Sequence, residues 1–139
     1  MPLSTGSTTV AMVRAALPKL HPSGRLPELT LSRDDVVVDP RHVASYAQVC
    51  GFPRKDTLPL TYPHLLAFGL HLQIMSDRSF PFPAIGTVHL ANAITQHRPI
   101  ALSETLDVAA HAADLRSHAK GQAFDLITTV SADGKAVWE

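Results

Sequence analysis

The spacing of apolar residues along this chain changes character several times, and each change predicts an element. From Glu28 to Val38 apolar positions alternate and end in three consecutive valines, which predicts a strand with an interruption at Arg33-Asp34-Asp35. Val43, Tyr46, Ala47 and Cys50 then fall at i, i+3, i+4 and i+7, the stripe of a short amphipathic helix. Asp39 suits its N-cap, Pro40 its first turn and Gly51 the position just past its end. On this reading Cys50 packs as a small core residue.

Phe52 to Leu60, with Pro53, Arg54, Lys55, Asp56 and Pro59, reads as a loop. A second helix begins near Thr61-Tyr62-Pro63 and runs to about Ser76. Its apolar residues cover nearly every side, so it is expected to be enclosed by other structure. After Phe80-Pro81-Phe82-Pro83 the period drops to two. Thr87–Ile94, Glu104–Leu115 and Gln122–Val130 each alternate as strands, and a last strand opens at Lys135 and reaches Trp138. Ser117–Gly121 and Ala132-Asp133-Gly134 read as hairpin turns. The final strand is short against its hairpin partner, which predicts an end inside a strand or a partner segment that completes it.

Early helices and a late antiparallel meander make an α+β domain with its sheet wrapped around one long helix. Residues 1–27 read as a lead-in punctuated by Pro18, Pro22, Gly24 and Pro27, with a short helix over Val10–Leu17; residues 28–139 form the domain.

Composition narrows the function classes. Twelve basic and twelve acidic side chains cancel, whereas a nucleic-acid binder or a polybasic membrane anchor would show a basic excess. No signal-peptide pattern opens the chain, and the Tyr62–Met75 stretch is shorter than the roughly 18 residues a bilayer span needs. With one cysteine and no disulfide framework, the expected setting is the cytoplasm.

Eight histidines show no zinc-module spacing, so no metal is expected. Neither a Gly-x-Ser-x-Gly elbow nor a glycine-rich phosphate loop is present. What stands out is Leu58 to Leu70, where Pro59 and Pro63 set the entry to the buried helix. Free N–H groups at its first turn, with His64 beside them, would polarise a carbonyl or bind an anion. The competing reading makes His64 a hydrogen-bonded residue at a helix start.

These residues resemble a family. The layout resembles the hotdog fold, and its details resemble MaoC-like dehydratases, the (R)-specific enoyl-CoA hydratases. Tyr46-Ala47-Gln48-Val49-Cys50-Gly51 looks like the start of the family's Tyr-Ala-x-x-Ser-Gly-Asp-x-Asn-Pro-x-His motif. Tyr62-Pro63-His64-Leu65-Leu66-Ala67-Phe68-Gly69-Leu70 looks like its Ile-Ala-His-Gly-Met segment. The likeness covers roughly residues 28–139. Where the motif carries its catalytic Asp this chain has Phe52, and no Asn-Pro-x-His follows. Phenylalanine cannot orient or activate water.

The resemblance therefore implies an N-terminal, non-catalytic repeat of a double-hotdog protein. No residue of this chain would be catalytic, and the Asp/His dyad would come from another repeat or chain. The implied substrate is an acyl-CoA or acyl-carrier-protein thioester, and the partner a second hotdog repeat in a homodimer or heterodimer. No organic cofactor is implied. Tyr62, Pro63, His64 and Leu65 would meet the substrate at the helix start. Met75, Phe80 and Phe82, beyond the helix C-terminus, would line an apolar slot for the acyl chain, or simply pack the core. Two alternatives remain open. One is a hotdog acyl-CoA thioesterase using Asp77 or Glu104; the other is a non-enzymatic subunit of a heteromeric dehydratase.

Overall fold

A computed structural model of the chain describes residues 24–139; the expected Val10–Leu17 helix lies outside them. In order come β1 (Thr30–Val37), α1 (Pro40–Cys50), α2 (Tyr62–Ser76), β2 (Thr105–His118), β3 (Gly121–Ala132) and β4 (Lys135–Trp138). The strands form one antiparallel sheet in the order β1-β2-β3-β4.

Local chemistry sets the element ends. The Asp39 carboxylate accepts the Arg41 N–H at 2.9 Å, and Pro40 occupies the first turn of α1. Gly51 closes that helix at a φ of 76°, a left-handed conformation that costs glycine nothing. Between β3 and β4, Asp133 and Gly134 both have positive φ, 50° and 75°, the backbone of a tight two-residue hairpin turn. The β3–β4 ladder pairs Ala132 with Lys135 and Ser131 with Ala136, then shifts register before Val130 meets Trp138.

Four expectations change. The interruption in β1 is not a break, since the strand runs continuously through Arg33-Asp34-Asp35. Asp35 nonetheless takes a φ of 55° and gives its N–H to the Asp107 carboxylate at 3.0 Å. Cys50 is exposed rather than packed, because α1 buries only Val43 and Ala47 fully. The helix α2 is not covered on every side: Leu65 is 40% and Phe68 43% exposed.

Last, Thr87–Ile94 does not form a strand. It lies exposed, with Val88 at 76% and Leu90 at 62%, because an alternating pattern becomes a strand only against a partner edge. Pairing begins just after it. Thr95 and Glu139 exchange two backbone hydrogen bonds of 2.8 Å, and Gln96 bridges to Trp138. There β4 ends.

The described residues divide into two compact units. One comprises residues 24–31, Phe68–Ala91 and Ala110–Ile127. Its core includes Leu70, Ile74, Ala110 and Phe80, and Phe80 sits in an aromatic cluster with Phe82 and Phe124. The other comprises Ser32–Ala67, Asn92–Ala109 and Thr128–Glu139. Its core includes Val43, Tyr62, Ile100, Leu106, Val130 and Val137.

Candidate functional site at the start of helix α2

The loop ahead of α2 is pinned along its length. Leu58 donates its N–H to Ile100 at 2.8 Å, Leu102 donates to the Asp56 carbonyl at 3.0 Å, and Thr57 bridges Ala101. The indole N–H of Trp138 reaches the Leu60 carbonyl at 2.8 Å. The helix start is therefore held by backbone bonds and one buried side chain rather than by the prolines alone.

Side chains from α1 complete the arrangement. His42 and Tyr46, four residues apart on one helix face, meet Tyr62 and Thr61 respectively. His42 Nδ1 lies 2.7 Å from the Tyr62 hydroxyl, and the hydroxyls of Tyr46 and Thr61 are 2.5 Å apart. The Tyr46 and Tyr62 rings cross edge to face at 5.3 Å between centroids. Burial, assisted by the negative charge of Asp39, pushes the Tyr62 phenol above its ordinary value. At neutral pH the phenol thus keeps its proton, and its oxygen can donate to or accept from His42 Nδ1 according to the imidazole tautomer. From β1, the Arg33 guanidinium donates to the Leu66 carbonyl at 2.9 Å.

Two consequences bear on the expected chemistry. The first-turn donors of α2 are largely occupied: Tyr62 N–H bonds Pro59 at 2.9 Å, His64 N–H bonds Thr61 at 3.3 Å, and Pro63 has no N–H. Carbonyl polarisation by free N–H groups of those three residues is therefore not built into this helix start. Phe52, at the position where the motif that this segment resembles carries Asp, stacks on Tyr46 with centroids 6.2 Å apart and planes 16° apart. It acts there as a packing group.

The sequence-derived site residues fall into two sets. Tyr62 and Pro63 are buried at the helix start, His64 is half-buried and Leu65 is exposed. Met75, Phe80 and Phe82 belong to the other unit. There Phe80 is fully enclosed, edge-on to Phe124 at 5.0 Å, and Phe82 stacks on Phe124 at 5.9 Å. These contacts make Phe80 a core residue. Sequence reasoning missed His42, Tyr46 and Thr61; the i, i+4 spacing of His42 and Tyr46 was the available signal. Among the described residues, no three His, Cys, Asp or Glu side chains converge as metal ligands would. Nor is any described helix long and apolar enough to cross a membrane.

No protein-family model matches the chain. Over 123 residues, 88% of its length, it is 38% identical to the 3-hydroxyacyl-thioester dehydratase X of Mycobacterium tuberculosis. Two crystal structures of HtdX from M. tuberculosis resemble it at the same 38% identity, with TM-scores of 0.74 and 0.69 over 79% and 78% of this chain. The chain spans 44% of the curated relative, and 47% and 44% of the two crystallised chains. The protein has the α+β hotdog fold and is homologous to about half the length of a 3-hydroxyacyl-thioester dehydratase.

Proposed function

We propose that this chain is the substrate-binding and structural hotdog half of a MaoC-like, (R)-specific enoyl-thioester hydratase or 3-hydroxyacyl-thioester dehydratase. The observation that carries the reading is the 38% identity to a dehydratase of which the chain matches less than half. Phe52 supports the division of labour, since an aromatic ring stacked on Tyr46 supplies neither a base nor an acid. The carboxylate and histidine that activate water and move the proton belong, on this reading, to another repeat or chain. This chain supplies apolar surface for the acyl group and a rigid helix start, held by the His42–Tyr62 and Tyr46–Thr61 bonds. The partner is a second hotdog repeat, and the substrate an acyl-CoA or acyl-carrier-protein thioester in fatty-acid metabolism. Exposed Phe68, Val88 and Leu90 are the kind of apolar surface that a partner covers.

The test is hydration of crotonyl-CoA by the purified chain, alone and mixed with a hotdog polypeptide that carries Gly-Asp-x-Asn-Pro-x-His. We expect no turnover by the chain alone and a gain in the mixture over the partner alone. Clear turnover by the chain alone would refute its non-catalytic role, and an unchanged rate in the mixture would refute the supporting one.

A further inference from the structure

Helix α1 and the loop that follows it border an open pocket of about 390 Å³ within one of the two units. That volume falls in the range of small-molecule sites, roughly 300–1,000 Å³. None of its lining residues belongs to the set that the sequence singled out as a site. Val43, Ala44 and Ala47 of α1 and Leu102 are among its apolar lining residues. Arg54, Lys55 and Asp56 form the charged part of its lining, an excess of one positive charge. Among the described residues, neither Arg54 nor Lys55 forms a hydrogen bond or an ion pair. Arg98 pairs with Glu104, and Arg116 with Asp114 and Asp125; Arg54 and Lys55 differ from the remaining unpaired cations in lining a pocket.

Part of the loop is anchored. Its stretch from Asp56 to Leu58 is tied to residues 100–102 by the backbone bonds Leu58–Ile100 and Leu102–Asp56 and by the Thr57–Ala101 bridge. Pro53 and Pro59 restrict the backbone at either end. The anchored stretch would need little ordering when a ligand enters. Apolar lining beside two uncommitted cations suits a ligand with an apolar body and an anionic end.

We propose that this pocket binds a small organic anion, its apolar body against Val43, Ala47 and Leu102 and its carboxylate or phosphate between Arg54 and Lys55. The site does not depend on the dehydratase reading. It predicts a ligand for this chain whether or not a catalytic partner exists.

The test is titration of the chain, followed by backbone amide NMR shifts, with octanoate, octyl phosphate, octanol and inorganic phosphate. Saturable binding of octanoate or octyl phosphate, with shifts at Val43, Ala44, Ala47 and Leu102, supports the site, and the tighter of the two identifies the head group. Octanol and inorganic phosphate should each bind at least tenfold more weakly, because each carries only half of the recognised chemistry. The exposed double variant Arg54→Gln, Lys55→Gln should keep the native spectrum and lose at least tenfold in affinity for the anion. Octanol binding as tightly as the anions, inorganic phosphate alone binding as tightly, shifts that map elsewhere, or a variant within twofold of the parent chain would each overturn the proposal.

Discussion

Truncating Phe80 to alanine distinguishes a core residue from the wall of an open slot. The Phe80 side chain is 0% exposed and packs edge to face against Phe124 at 5.0 Å and Phe82 at 6.1 Å. Removing a fully enclosed ring forfeits its transfer free energy and leaves a cavity, a loss of about 3–5 kcal/mol. Within that total, each lost aromatic pairing accounts for about 0.5–1.5 kcal/mol. Domains of this kind are stable by roughly 5–15 kcal/mol, so Phe80→Ala should remove a large fraction of the total. With a urea m-value near 2 kcal/mol/M, the unfolding midpoint should fall by about 2 M. Phe82 is half-buried, and Phe82→Ala should cost clearly less. The assay is urea unfolding of both variants followed by circular dichroism. A ring that lined an open slot would already face solvent, and its removal would cost little. A loss below about 1 kcal/mol for Phe80→Ala, or a larger loss for Phe82→Ala, would refute the packing argument.

Two further outcomes follow from the hydrogen-bonded clusters. Burial first, and the charge of Asp39 second, raise the Tyr62 phenol above its ordinary 10.0, so the folded state holds a proton that the unfolded chain releases. This contribution is intact below that value and fades as pH rises through the folded-state value; Tyr62→Phe should flatten the alkaline limb of stability against pH, and an unchanged limb would contradict it. The Arg98 guanidinium holds the Glu104 carboxyl below its ordinary 4.5, with help from the Ala101 N–H. Here stability is present above 4.5 and is lost on acidification; Glu104→Gln should make the acid limb shallower, by a small amount because the pair lies at the surface. Denaturation at a series of pH values reads both, and an acid limb no shallower in Glu104→Gln than in the parent chain would count against the second.

The legible parts of the fold were those decided by neighbours in the chain. Asp39, Pro40 and Gly51 delimit α1 through bonds within one turn, and Asp133-Gly134 makes its hairpin through two backbone angles. The α2 helix announced itself by an apolar run that nothing else explains. The parts that escaped depend on remote partners. Thr87–Ile94 has the alternation of a strand, but alternation supplies only a face, and the ladder with β4 stops after Gln96 and Thr95. Cys50 lies on the apolar stripe of α1, yet that helix buries only the narrower strip through Val43 and Ala47. The bonds from His42 and Tyr46 to the helix start join residues twenty and fifteen positions apart; the i, i+4 spacing puts both on one face but does not say what that face meets.

Position 52 is where local and remote readings meet. From the motif alone, Phe52 registers as a loss, an aromatic ring where a carboxylate would act on water. In the folded chain it has contacts of its own. Its ring lies nearly parallel to Tyr46, and its N–H caps α1 by bonding the Ala47 carbonyl at 2.8 Å. Tyr46 in turn packs on Tyr62 and reaches Thr61, so the stack supports the pair of residues that opens α2. A carboxylate at 52 would remove the stacking surface and place a charge beside a half-buried ring, which only a compensating donor could offset. In this chain position 52 serves aromatic packing. Introducing a carboxylate by Phe52→Asp should therefore weaken the helix start.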